Sequence, residues 1–167
     1  IHKMTKATFE ETYHFIEENY LSEEDYIIQR RLPLAMINGC PFDCRVIVQK
    51  VDSAWKTTGK IVKIAAEGFI VTNAAQGLAS LEDAIQNSNM LSKSIESLEA
   101  KIDEICIAAA GQLEENKTGI KIIGFDIGIT KQGEIGIIEG NSVPDLSMFY
   151  KLEDKKMYTT IKNIERG

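Results

Sequence analysis

Between Ile120 and Asn141 the chain reads as a β-hairpin with one core face, and this segment constrains the fold more than any other. Ile120 to Ile129 and Glu134 to Glu139 are two strand-like runs joined by Thr130-Lys131-Gln132-Gly133, a turn ending on glycine. Side chains alternate faces along a strand, so Ile123, Phe125, Ile127 and Ile129 share one face, which must be core. Asp126 points the other way between Gly124 and Gly128, and glycine inside a strand often marks close approach by a ligand. On the second strand Ile135, Ile137, Glu139 and Asn141 share a face. With Ile129 opposite Glu134, Asp126 faces Ile137, and Glu139 lies on the diagonal, roughly 7–8 Å away. Two carboxylates and an amide oxygen on one face suit a hard cation such as Mg2+, which prefers one or two carboxylates together with substrate phosphates. The same residues also describe an acidic, solvent-facing sheet surface, and spacing alone leaves both readings open. Repulsion between the two acids would make Asp126→Asn nearly neutral for stability.

The rest of the chain supplies more hairpins and several helices. Thr8-Phe9-Glu10-Glu11 is a capping box, followed by Phe9, Tyr13, Ile16 and Tyr20 at helical spacing, so a first helix ends near Asn19. Tyr26 to Gln29 reads as a short strand, and Pro33 and Asn38-Gly39-Cys40-Pro41 as loop or turn. Phe42 to Val51 is strand-like, with Phe42, Cys44, Val46 and Val48 on one face and Asp43, Arg45, Ile47 and Gln49 on the other. Asp52-Ser53-Ala54 turns the chain into a returning strand from Trp55 to Ala66, and Phe69 to Asn73 suggests one more. From Leu81 to Leu113 apolar residues step by threes and fours, as one long helix or two abutting ones. Leu146 to Ile164 reads as a charged helical tail. The expectation is an α+β fold with a mainly antiparallel sheet.

Composition removes several classes of function. A length of 167 residues fits one domain, and 44% apolar with 26% charged residues excludes a disordered chain. Nineteen basic against 25 acidic side chains give a net charge of −6, which argues against nucleic acid and anionic membrane as partners. The longest apolar run, Ile105 to Ala110, is about a third of a membrane span, and the first residues lack the apolar stretch of a signal peptide. Cys40, Cys44 and Cys106 are an odd set without metal-site spacing, as expected for reduced thiols in the cytoplasm. The chain opens on Ile1, which suggests a piece of something longer.

A second cue is Asp43-Cys44-Arg45, an acid and a base on the same face of one strand. They read either as a surface ion pair or as Arg45 facing a phosphate with Asp43 accepting from a hydroxyl.

Gly124 to Ile129 followed by Ile137-Ile138-Glu139-Gly140-Asn141-Ser142-Val143-Pro144 resembles the carboxy-terminal signature of the ATP-grasp superfamily. Tyr26 to Gln29, Asn38 to Gln49 and Val71-Thr72-Asn73 fall in the order that superfamily requires, and the pattern is most similar to its endospore coat-associated YheC/YheD-type family. The resemblance implies an ATP-grasp carboxy-terminal subdomain over 1–167, without the amino-terminal lid subdomain. It implies ATP and Mg2+ as cofactors. Gln29, Arg30 and Arg31 stand where such proteins hold adenine, Asp43 where an acid meets the nucleoside, and Thr72 and Asn73 on a phosphate-lining loop. Arg45 resembles the catalytic arginine directed at the phosphates, and Asp126, Glu139 and Asn141 the metal ligands. The implied function is an ATP-dependent carboxylate–amine ligase acting through an acyl phosphate on a small-molecule or peptide carboxylate, active when full length and inactive as this fragment. The alternative is a non-catalytic structural or assembly protein of the spore coat, with coat proteins as partners. Gly140, Asp145 and Val71 depart from the superfamily pattern.

Overall fold

The computed structural model describes residues 7–21, 29–70, 72, 75–91 and 94–166. The chain divides into two compact units, Ile1–Arg31 and Leu32–Gly167. In the first, α1 (Phe9–Asn19) starts where the capping box places it. Glu11 N donates to Thr8 Oγ1 at 3.1 Å, and Ala7 N donates back to Glu11 Oε2 at 3.0 Å. No residue of α1 is buried. Of the strand expected at Tyr26–Gln29, residues 26–28 lie outside the described residues, and Gln29 belongs to no strand.

The second unit is built on an antiparallel sheet. Its strands are β1 (Met36–Ile37), β2 (Cys40–Val51), β3 (Ala54–Ala65), β4 (Ala75–Ala79), β5 (Ile122–Ile129) and β6 (Ile135–Asn141). They run in the order β4-β3-β2-β5-β6, with the short β1 paired to the start of β2. Two tight turns set this up. Asn38 and Gly39 have φ of 50° and 80°, and Asp52 and Ser53 have φ of 51° and 66°, the left-handed pairs whose twist matches that of hairpin strands. The Asn38-Gly39 turn is tighter than the expected loop, so Cys40 and Pro41 already belong to β2.

Helices cover both faces of the sheet, which explains why β2 is buried along most of its length. On one face Phe42, Cys44, Val46 and Val48 meet Ile123, Phe125, Ile127 and Ile129 beneath α2 (Leu81–Asn87) and α3 (Ile95–Asn116). On the other, Ile47 and Ile61 meet Phe149 of α4 (Ser147–Lys151) and Ile161 of α5 (Lys156–Arg166). Gln49 on this second face donates to the Ile161 carbonyl at 3.0 Å. The division of β2 into two faces follows the alternation in the sequence.

One open reading is settled and two details differ from expectation. The long helical stretch is two helices, because Asn89 exchanges hydrogen bonds with the backbone of Met36: its Oδ1 accepts from Met36 N and its N donates to Met36 O. The buried stripe of α3 is Leu98, Ile102, Cys106 and Ala110, while Leu113 is exposed. Finally, Phe69, Ile70 and Thr72 lie outside any strand, with Val71 and Asn73 outside the described residues, and the strand comes later as β4. Gly68 at φ 80° turns the chain at that point. The sequence of β4, Ala-Gln-Gly-Leu-Ala, has little strand preference of its own and is held by pairing with β3.

Ile127 is fully buried between the central strands and the α2/α3 layer. Ile127→Ala is expected to lower unfolding free energy by on the order of 2–5 kcal/mol in urea denaturation; a loss below about 1 kcal/mol would place Ile127 outside the core.

Candidate functional site

On the α4/α5 side of the sheet, four charged side chains meet in the interior. Arg45 on β2 is the register partner of Asp126 on β5, and Asp43 on β2 is the partner of Lys63 on β3. Arg45 Nε donates to Asp126 Oδ1 at 2.5 Å and Nη2 donates to Oδ2 at 2.9 Å, a two-point grip on the carboxylate. Lys63 Nζ donates to Asp126 Oδ2 at 3.0 Å and lies 3.3 Å from Asp43 Oδ1. Thr72 Oγ1 donates to Asp43 Oδ2. All five residues are buried, none more than 7% exposed. Two carboxylates against two cations balance the group to zero net charge, which is what allows it to leave water.

Burial acts on the two acids with different results. It pushes the Asp43 carboxyl up to about 6, because the opposing charge of Lys63 and the Thr72 hydrogen bond compensate only in part. Burial works on Asp126 in the same direction, but the Arg45 hydrogen bonds and the charges of Lys63 and Arg45 outweigh it and hold the carboxyl below its usual range. Arg45 loses by burial yet is held charged by Asp126, with smaller help from Glu139 and Asp43.

The network forms the floor of a cleft of about 620 Å³, lined by Arg45, Lys63, Thr72, Gln76, Ser147 and Lys151 among others. Three cations against one lining carboxylate, Asp145, suit an anionic ligand. Asp145 accepts from both the backbone N–H and the hydroxyl of Ser147 at 2.8 Å, which holds its carboxyl below the usual range.

Two β-bulges decide which side chains reach this face. In β6, Ile137 pairs with Ile127, but the next partners are Glu139 and Asp126, so Ile138 is the extra residue. Glu139 is therefore directly opposite Asp126 rather than diagonal to it, and Asn141 is opposite Gly124. The expected register would have put Ile135 and Ile137 on the same face as Glu139. Instead they pair with Ile129 and Ile127 of the core face, and the bulge turns Glu139 and Asn141 to the side of Asp126. In β3, Val48 pairs with Thr57 and Ile47 with Gly59, leaving Thr58 extra. Were Thr58 paired in a regular ladder, Val62 would oppose Asp43, and Lys63 would face the α2/α3 layer.

Arg45, Asp43, Thr72 and Asp126 thus come together, with Glu139 and Asn141 exposed on the same sheet face, although neither lines the cleft. Gln29, Arg30 and Arg31 are exposed in the first unit, and Asn73 lies outside the described residues. Lys63 and Lys151 were not anticipated. The glycines around Asp126 serve packing rather than a ligand. A Cβ on Gly124 would come 2.6 Å from Pro144 Cβ, and one on Gly128 2.8 Å from both Leu32 and Leu34. Gly140, a departure from the superfamily pattern, makes room in the same way for the Phe125 ring.

The donors on this face can be tested against Mg2+. Asp126, Glu139 and Asn141 offer hard oxygen atoms, the right chemistry for that ion. Among the described residues no group of three or more His, Cys, Asp or Glu is placed to hold a metal, so no self-contained cage exists. Two carboxylates and an amide, completed by oxygens of a bound phosphate, fit the way proteins hold Mg2+.

The family described as YheC/D like ATP-grasp matches residues 2–164. The endospore coat-associated protein YheD of Bacillus subtilis (strain 168) is 27% identical over 149 residues, covering 87% of this chain and 32% of that protein. The chain thus spans about a third of the length of the curated relative it matches. No solved structure matches the chain.

Two stability measurements probe the network. Asp126→Asn removes the charge that compensates Arg45 and Lys63, so in place of the small effect expected from repulsion with Glu139 it should cost on the order of 3 kcal/mol at neutral pH; an unchanged denaturation midpoint would contradict the pairing. Asp43 titrates higher in the folded chain than unfolded, so the folded state binds the extra proton and stability falls as pH rises between about 4 and 6. Asp43→Asn is expected to be more stable than the parent by on the order of 1–3 kcal/mol at pH 8, with the gain gone near pH 4. A difference independent of pH would refute the buried-charge account.

Proposed function

Because the chain belongs to the YheC/D-like ATP-grasp family, we propose that it is the ATP- and Mg2+-binding part of an ATP-dependent carboxylate–amine ligase. It corresponds to the carboxy-terminal portion of the grasp, one domain over 1–167. The observation that supports this most is the cleft floor, where Arg45 and Lys63 stand side by side beneath a cavity large enough for a small anionic ligand.

In this reading the substrate carboxylate attacks the terminal phosphoryl group of ATP, and an amine then displaces phosphate from the acyl phosphate. Catalysis of such a transfer is largely positioning and charge stabilisation. Arg45, aligned in the resting site by its two bonds to Asp126, turns its guanidinium to the transferring phosphoryl group. Thr72 and Asn73 line the phosphates, Asp43 accepts from the nucleoside, and Gln29, Arg30 and Arg31 hold adenine. Asp126, Glu139 and Asn141 would hold Mg2+, which when bound neutralises phosphate charge and clamps the transferring group. The acyl substrate is a small-molecule or peptide carboxylate, and the protein acts in the cytoplasm.

A second reading is favoured by the name of the Bacillus subtilis relative. Here the chain keeps the ATP-grasp fold as a non-catalytic assembly protein of the spore coat, with coat proteins as its partners.

Calorimetric titration with ATP, with and without Mg2+, separates the two. The ligase reading expects Mg2+-dependent binding, weakened at least tenfold by Glu139→Gln, whose exposed position spares the fold, and abolished by Asp126→Asn combined with Glu139→Gln. ATP binding that ignores both Mg2+ and these substitutions would sink it and leave the assembly role as the better account.

A further inference from the structure

The buried network contains its own counter-ions, and this limits what can bind above it. Both Asp126 oxygens are engaged, Oδ1 by Arg45 and Oδ2 by Arg45 and Lys63. Lys63 is shared with Asp43, whose second oxygen is taken by Thr72. A divalent cation arriving alone at Asp126 must displace two cations into a cavity with no new anion to receive them. A polyphosphate arriving alone must draw Arg45 and Lys63 away from two buried carboxylates, leaving those uncompensated. Each step exposes an unpaired charge in a site that is at most 7% exposed, where stripping one partner from a buried pair is strongly unfavourable. Arriving together, the two ligands leave every charge paired: the cations turn to the phosphates and the metal takes their place on the carboxylates.

Resting on the reading above, we propose that Lys63 and Arg45 act as an internal stand-in for the metal, so that the cleft selects a metal–polyphosphate complex over free polyphosphate. Lys63 carries most of this discrimination, because it alone bridges both acids. The two ligands are coupled through the partner change of Lys63, and by linkage each raises the affinity for the other by the same factor.

Simple attraction to a basic cleft predicts the opposite order, because free tripolyphosphate carries more negative charge than its metal complex. The test is calorimetry with inorganic tripolyphosphate in EDTA against its Mg2+ complex at saturating Mg2+, an ion labile enough to exchange bound water for the protein carboxylates. The complex is expected to bind the unmodified chain at least tenfold more tightly; equal affinity, the reverse order or no binding of either would overturn the proposal. Two variants, checked for folding by circular dichroism, add opposite signatures that loss of structure alone would not produce. Asp126→Asn frees Arg45 and leaves Lys63 with Asp43 alone, and should raise affinity for metal-free tripolyphosphate at least fivefold. Lys63→Met should raise affinity for Mn2+ alone, read by electron paramagnetic resonance, by a similar factor, while Lys63→Arg keeps it at the parent's value. A fall in both affinities would reduce the network to a structural role. Titration with MgATP alongside separates the two readings. MgATP binding without preference for the magnesium tripolyphosphate complex overturns the exchange and leaves the nucleotide site standing, whereas that preference without ATP binding supports the exchange and removes the nucleotide.

Discussion

The pairing of Arg45 with Asp126 is the interaction on which the rest of this molecule depends. An arginine and an aspartate taken out of water on the middle strands of a sheet are unfavourable unless each meets the other with good geometry. Here the register between β2 and β5 puts them face to face, and the fork of the guanidinium matches the carboxylate at both oxygens. Lys63 and Asp43 repeat the arrangement one strand over. The result is a polar island inside a sheet otherwise covered on both faces by apolar helices, and it places functional groups at a depth where water screens them little.

Much of this was visible in the order of the residues. The alternation in Phe42–Val51 and Ile123–Ile129 separates one apolar face from one that carries Asp43, Arg45 and Asp126, and the layer found under α2/α3 follows it residue by residue, while the smaller layer around Ile47 under α4/α5 shares the charged face. The Thr8 cap and the turn at Asp52-Ser53 are local signals with local causes, and each sits where its chemistry puts it. The family likeness gathered the same residues from several segments before any geometry was known, and the chain does belong to that family.

What escaped the sequence reading was non-local. A bulge leaves no reliable mark in composition, yet each of the two bulges here flips the facing of everything beyond it. Lys63 went unnoticed because a regular hairpin from the Asp52-Ser53 turn aims it into the helical layer; only the extra Thr58 brings it beneath the cleft. Glu139 was assigned to the correct side of the sheet through a register that was wrong, and with it went Ile135 and Ile137, which belong to the opposite layer. The glycines beside Asp126 looked like room for a ligand because a sequence cannot show that Pro144, Leu32 and Leu34 return to fill that space. β4 has no propensity to announce it, and Asn89 ends a helical pattern by binding a strand more than fifty residues earlier.

The bulges at Thr58 and Ile138 also bear on how such a site can change over time. Its charged face depends on one residue in each strand standing outside the ladder as much as on the identity of the charged side chains. Loss of Ile138 would leave Glu139 directly after Ile137 and still opposite Asp126 in a regular ladder, whereas drawing Ile138 into the ladder with every residue kept would turn Glu139 toward the face packed beneath α3 and present an isoleucine to Asp126. Relatives of this chain should therefore keep the charged face across a one-residue gap at either bulge position, and such a gap would mark a strand that has straightened rather than a site that has been lost.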